Sequence, residues 1–134
     1  MKKIIAVALA AFALNASAWT GNGNDKIDAV RAYLKVTEAG QGSAKELEGY
    51  GWFVGVVAGV SSIYALNTDF TAICYPEEAT SGQLAEIAAN YIIDHPETRT
   101  YSINDLTWLA HNEAFGSQSD KSCWLHDRWL EANS

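Results

Sequence analysis

One local signal recurs along this chain and restricts its fold more than any other feature: a hydroxyl residue followed three positions later by Glu, Gln or Asp. It occurs at Ser43 with Glu46, at Thr80 with Gln83 and at Ser102 with Asp105. At that spacing the hydroxyl oxygen accepts from a backbone N–H three residues on, and the longer side chain can reach back to the hydroxyl residue's own N–H. Donors orphaned at a helix N-terminus are thereby satisfied. Each signal predicts a helix start, and the stops are marked as well. Before Gly40-Gln41-Gly42, residues 24–38 place Ile27, Val30, Tyr33 and Leu34 at helical spacing, with Asp25 and Asp28 early. Pro96 disfavours helix in the residue before it, and Gly116 provides the last stop. Helices are predicted over residues 24–38, 44–66, 81–94 and 103–115, with a short amphipathic tail helix around Trp124, Leu125, Trp129 and Leu130. Residues 67–79 have no helical period and read as a loop. No strand alternation of useful length and no repeat occurs, so the expected fold is all-α, a single small bundle of about four to five helices.

The expected buried faces are Leu84, Ile87, Ala88, Tyr91 and Ile92 on one helix and Leu106, Leu109 and Ala110 on another. The segment 44–66 is the most apolar, and it carries Gly51, Gly55 and Gly59 four residues apart on one face. Glycine inside a helix costs about 1 kcal/mol relative to alanine. Three in a row call for a compensating close approach of another backbone, within the fold or across a dimer. The apolar core of that segment is about 15 residues, interrupted by Ser61 and Ser62, and falls short of the roughly 18 that a membrane span needs.

Lys2 and Lys3, an apolar run from Ile4 to Leu14 and Ala16-Ser17-Ala18 form the three parts of a secretory signal, with cleavage expected after Ala18. The mature domain is then 19–134, located in the periplasm and not in the membrane. Removing the leader takes the formal charge from −7 to −9, seven basic against sixteen acidic residues. That balance excludes nucleic acid as a natural partner. In an oxidising compartment the only two cysteines, Cys74 and Cys123, are expected to form one disulfide. Closing that loop stabilises the fold by at most about 4 kcal/mol.

Chemistry is sparse. His95 precedes Pro96 at a helix end, His111 lies on what reads as a polar helix flank and His126 is in the tail. No catalytic set assembles locally around any of them. His111-Asn112-Glu113 lacks the spacing of a zinc helix, Cys123 to His126 has no matching half-site, and the glycine row has no neighbouring lysine for phosphate. No metal and no cofactor are expected, and the chain reads as a binder, not an enzyme. A hydrolase would need one of these histidines to meet a serine or carboxylate in space. The loop carrying Asp69, Phe70, Tyr75, Glu77 and Glu78 is the candidate contact surface, with aromatic anchors and carboxylates for a basic rim. The alternative for Phe70 and Tyr75 is burial in the core.

Several pieces in order resemble the Rap/Tai immunity family: Gly49-Tyr50 with Gly55 and Gly59, Cys74-Tyr75-Pro76-Glu77 with Thr80 and Gln83, Tyr91 with residues 95–99 (His-Pro-Glu-Thr-Arg), and Ala114-Phe115 before Cys123. The resemblance implies a periplasmic helical protein that protects against type VI secretion effectors, papain-like amidases that cut peptidoglycan peptide stems. Its members bind the amidase and block its Cys-His cleft, often as a homodimer holding two effector molecules. Carried over, Cys74 and Cys123 are the family disulfide. The chain departs from the pattern at residues 116–122, a longer loop before the second cysteine. The competing reading of the composition is a small acidic periplasmic stress chaperone.

Overall fold

The computed structural model describes residues 21–66 and 72–116 of the chain. Four α-helices follow one another, α1 (Ile27–Ala39), α2 (Ala44–Leu66), α3 (Ser81–Asp94) and α4 (Ile103–Phe115), with one 3-10 turn at Pro96–Thr98 between α3 and α4. The fold is all-α. Among the described residues β-pairing is limited to an isolated bridge between Asn22 and Ser102. The expected signal at residues 1–18, the tail helix, His126 and Cys123 lie outside the described residues.

The three start signals are built as their spacing predicts. Ser43 Oγ accepts from the Glu46 N–H at 3.2 Å, and Glu46 Oε2 accepts from the Ser43 N–H at 2.9 Å. Thr80 and Gln83 exchange the same pair at 3.2 and 2.9 Å. Ser102 Oγ accepts from the Asp105 N–H at 3.1 Å and itself donates to the Asp105 carboxylate at 2.8 Å. The stops are equally physical. Gly40 ends α1 in the left-handed conformation, φ 68°, and its N–H reaches the Val36 carbonyl. Beyond α3, Arg99 folds back, and its Nε and Nη2 donate to the carbonyls of Ile92 and Ile93, both at 2.7 Å. A cation on the last carbonyls of a helix satisfies acceptors that have no helical partner and complements the dipole.

α2 packs against α1, α3 and α4. The core joins Val30 and Tyr33 of α1, Phe53 and Val57 of α2, Ala85, Ala88, Ala89 and Ile92 of α3, and Ile103, Leu106 and Ala110 of α4. On α3 the buried stripe is rotated from the expected one. Ile87 and Tyr91 stand at its margin while Ala85 and Ala89 take the centre. Small residues let α2 and α4 come close, and the bulkier pair covers the edge.

One expectation about α2, its length, is corrected, and the glycines divide into two groups. The close helix approach is at Gly49, where a Cβ would stand 3.2 Å from Ala32 Cβ and 3.3 Å from Ala29 Cα. At Gly51, Gly55 and Gly59 no atom of the described residues beyond the helix's own backbone lies within 4 Å of an added Cβ. The glycine row therefore does not pack on another described helix. α2 is also long and apolar enough, by length and composition, to cross a membrane, although only 22% of its most apolar stretch is buried in the bundle. Within it Ser61 and Ser62 donate to the carbonyls of Val57 and Ala58, one turn back.

Candidate functional site

Residues 72–79 connect α2 to α3 and divide into an inward and an outward half. The inward half begins where the Ile73 N–H donates to the Tyr64 carbonyl at 3.1 Å, which holds the segment beside the last turns of α2. Tyr75 then points into the bundle, only 8% exposed. Its hydroxyl meets His111 Nδ1 at 2.8 Å, and His111 Nε2 lies 2.8 Å from the Leu84 carbonyl. A carbonyl can only accept, so Nε2 carries the proton and Nδ1 accepts from Tyr75. Tyr75 and His111 also meet edge-on, with centroids 5.3 Å apart, and Phe115 closes on Tyr75 at 5.6 Å. The imidazole thus ties α4 to the start of α3 and to the connecting segment.

The expectation of His111 on a polar flank is corrected: it has no solvent exposure. Burial holds its pKa below the ordinary histidine value, partly opposed by the bond to Leu84. Burial likewise pushes the Tyr75 hydroxyl up to about 12. Ser61 Oγ lies 3.5 Å from His111 Nδ1, so a histidine and a serine do meet in space. The pair is not arranged for nucleophilic attack. The Ser61 proton is directed to the Val57 carbonyl at 2.6 Å, Nδ1 is filled by Tyr75, and both residues lie inside the core. His95 is different again. It caps α3, with Nδ1 3.0 Å from the Tyr91 carbonyl and its ring stacked on Tyr91 at 4.1 Å.

The outward half, Pro76, Glu77 and Glu78, is exposed. Pro76 and Glu78 join Gln83, Glu86, Ile87 and Phe115 around a groove of about 540 Å³ along α3. Its charged lining residues are both carboxylates, Glu78 and Glu86, over an apolar floor. The sequence-predicted contact residues consequently separate. Glu77 and Glu78 stand outside, and Tyr75 is in the core because its hydroxyl is the natural donor to Nδ1. Asp69 and Phe70 lie outside the described residues. Cys74 is half-buried between Ile73 and Tyr75. Glu86 was missed by the loop reading because its approach to the turn depends on how α3 is docked. Among the described residues no group of three His, Cys, Asp or Glu comes together.

A four-helix bundle whose buried polar atoms are engaged with one another, and whose connecting segment presents carboxylates beside an apolar groove, offers surfaces for binding. A family model described as Rap1a immunity proteins matches residues 23–116. The chain belongs to the Rap1a immunity proteins. No curated protein and no solved structure matches it.

Proposed function

We propose that the protein is exported to the periplasm, where it binds a peptidoglycan amidase delivered by type VI secretion and inhibits it by covering the active-site cleft. Membership of an immunity family over residues 23–116 is the observation that carries this reading. Inhibition by occlusion needs no catalytic group, cofactor or metal of its own. It needs a surface that holds its shape and complements the target's charge. The turn bearing Glu77 and Glu78 is braced from behind by Tyr75 on His111, so its backbone has little freedom to lose on binding. Asp69 and Phe70 would extend the same contact. A disulfide between Cys74 and Cys123 would fix the segment further, and a homodimer would present it twice. A general chaperone, by contrast, gains no support from membership of an immunity family.

Co-expression with the periplasmic form of the cognate amidase tests the function: cells carrying the protein should survive and cells without it should lyse. The surface is tested by Glu77→Lys with Glu78→Lys, which should weaken the dissociation constant roughly tenfold or more, about 1.4 kcal/mol or above, at an unchanged melting temperature. An unchanged affinity would remove this turn from the contact.

A further inference from the structure

The groove of about 540 Å³ along α3 joins charge of one sign to apolar area. Glu78 comes from the connecting turn and Glu86 from α3, while Ala79, Ile87 and Phe115 supply carbon. Among the described residues neither carboxylate has an ion-pair partner. A second groove, between α1 and α2, mixes Lys26 and Lys45 with three carboxylates and so selects no charge. The walls of the α3 groove are held before anything binds. Tyr33 donates to the Gly82 carbonyl at 2.9 Å and fixes the first turn of α3. The Gln83 side chain is tied into the cap with Thr80, and Phe115 packs on Tyr75 with ring centroids 5.6 Å apart.

We propose that this groove is the socket for one arginine of the inhibited protein, with the guanidinium at Glu78 and Glu86 and its methylene stem on Ile87 and Phe115. The proposal rests on the inhibitory function above and names the partner group recognised at that site. Carboxylates beside carbon match a side chain that is apolar along its stem and cationic at its tip. Lysine and arginine both have that form. Glu78 and Glu86, however, stand on separate elements, and a guanidinium presents N–H donors along more than one edge, so it can bond to both. Its flat face also stacks on an aromatic ring. An ammonium is a point charge and gains less from Phe115. A groove of this size takes the side chain together with the backbone that bears it.

The first test titrates the full mature chain with N-acetyl-arginine amide and with N-acetyl-lysine amide, following backbone amide shifts by NMR. Shifts should centre on Glu78, Glu86, Ile87 and Phe115 and saturate at roughly threefold lower concentration with the arginine compound. They should vanish in the double variant Glu78→Gln with Glu86→Gln. Shifts spread evenly over exposed carboxylates, or equal binding of the two compounds, would overturn the proposal. The second test uses the cognate amidase. Glu86→Gln should weaken its dissociation constant roughly tenfold, whereas Glu48→Gln, an exposed carboxylate of α2 away from the groove, should change it by less than about twofold. Both positions are exposed, so melting temperatures should hold. One arginine of the amidase, changed to lysine, should lose about tenfold against the native protein and nothing further against Glu86→Gln. Equal losses for Glu86→Gln and Glu48→Gln would reduce the groove to long-range attraction and overturn the socket. An amidase bound equally well whatever stands at positions 78 and 86 defeats the socket and leaves inhibition standing. Arginine selectivity in the groove without any amidase binding defeats the inhibitory function and leaves the arginine site standing.

Discussion

Two effects oppose each other at His111. Burial disfavours the imidazolium, the bond from Nε2 to the Leu84 carbonyl favours it, and burial is the larger. The folded state therefore binds a proton less readily than the unfolded chain, whose histidine titrates near 6.5. Stability from this residue is complete above about pH 6.5 and falls as the pH drops through that value toward the lower folded pKa. The depressed pKa of Glu46, held down by its bond from Lys35, adds its own loss only in the carboxylate range below about 4.5. Urea midpoints should fall between pH 7.5 and 5.5, and His111→Gln should flatten that dependence. At neutral pH, Tyr75→Phe should cost about 1–3 kcal/mol, because it leaves Nδ1 buried without its donor. A pH-independent midpoint in the native protein would contradict the role given to His111. None of this was visible locally. His111 sits between Ala110 and Asn112 and reads as a flank residue until α4 is docked on α3.

Among the helices, the contrast between glycines is the clearest case of what a sequence pattern can and cannot convey. Four-residue spacing drew attention to Gly51, Gly55 and Gly59, yet the glycine that lets two described helices approach is Gly49, against Ala29 and Ala32. Periodicity identifies a face but not its neighbour. Gly49→Val should destabilise by about 1–3 kcal/mol through overpacking of α1 on α2. Gly82 is the opposite case: an added Cβ would meet only Thr80 Oγ1, at 3.8 Å. Gly82→Ala should raise stability by up to about 1 kcal/mol, since alanine has less backbone freedom to lose. Thermal melts of the two variants check both directions. Arg99 belongs to this scale as well. Pro96 gave the helix stop, but the hold of Arg99 on Ile92 and Ile93 required the chain to turn back through the 3-10 segment Pro96–Thr98.

At the scale of the whole molecule, location and inhibition are joined in the proposed function. Deleting residues 2–18 should leave a domain that folds and binds the amidase in vitro but no longer protects cells, as viability against the periplasmic amidase would show. Continued protection from the cytoplasm would sever export from function. The acidic balance of the chain, sixteen acidic against nine basic residues, sets a long-range field that favours a basic partner and fades with salt. In the proposed function the short-range fit would fall to the groove between the Glu78 turn, Glu86 of α3 and Phe115 of α4.

The sequence by itself determined where helices begin and end, because capping involves donors and acceptors within three or four residues of one another. Ser43, Thr80, Ser102, Gly40 and Gly116 carry that information without help from the rest of the chain. It also determined the fold class and, through residues spread from Gly49 to Cys123, the family resemblance. Only the tertiary structure decided that Tyr75 turns inward, that His111 is fully buried and that Gly49 is the packing glycine. Burial and hydrogen-bond partnership belong to pairs of elements distant in sequence, and they exist only once α4, α3 and the connecting segment have met.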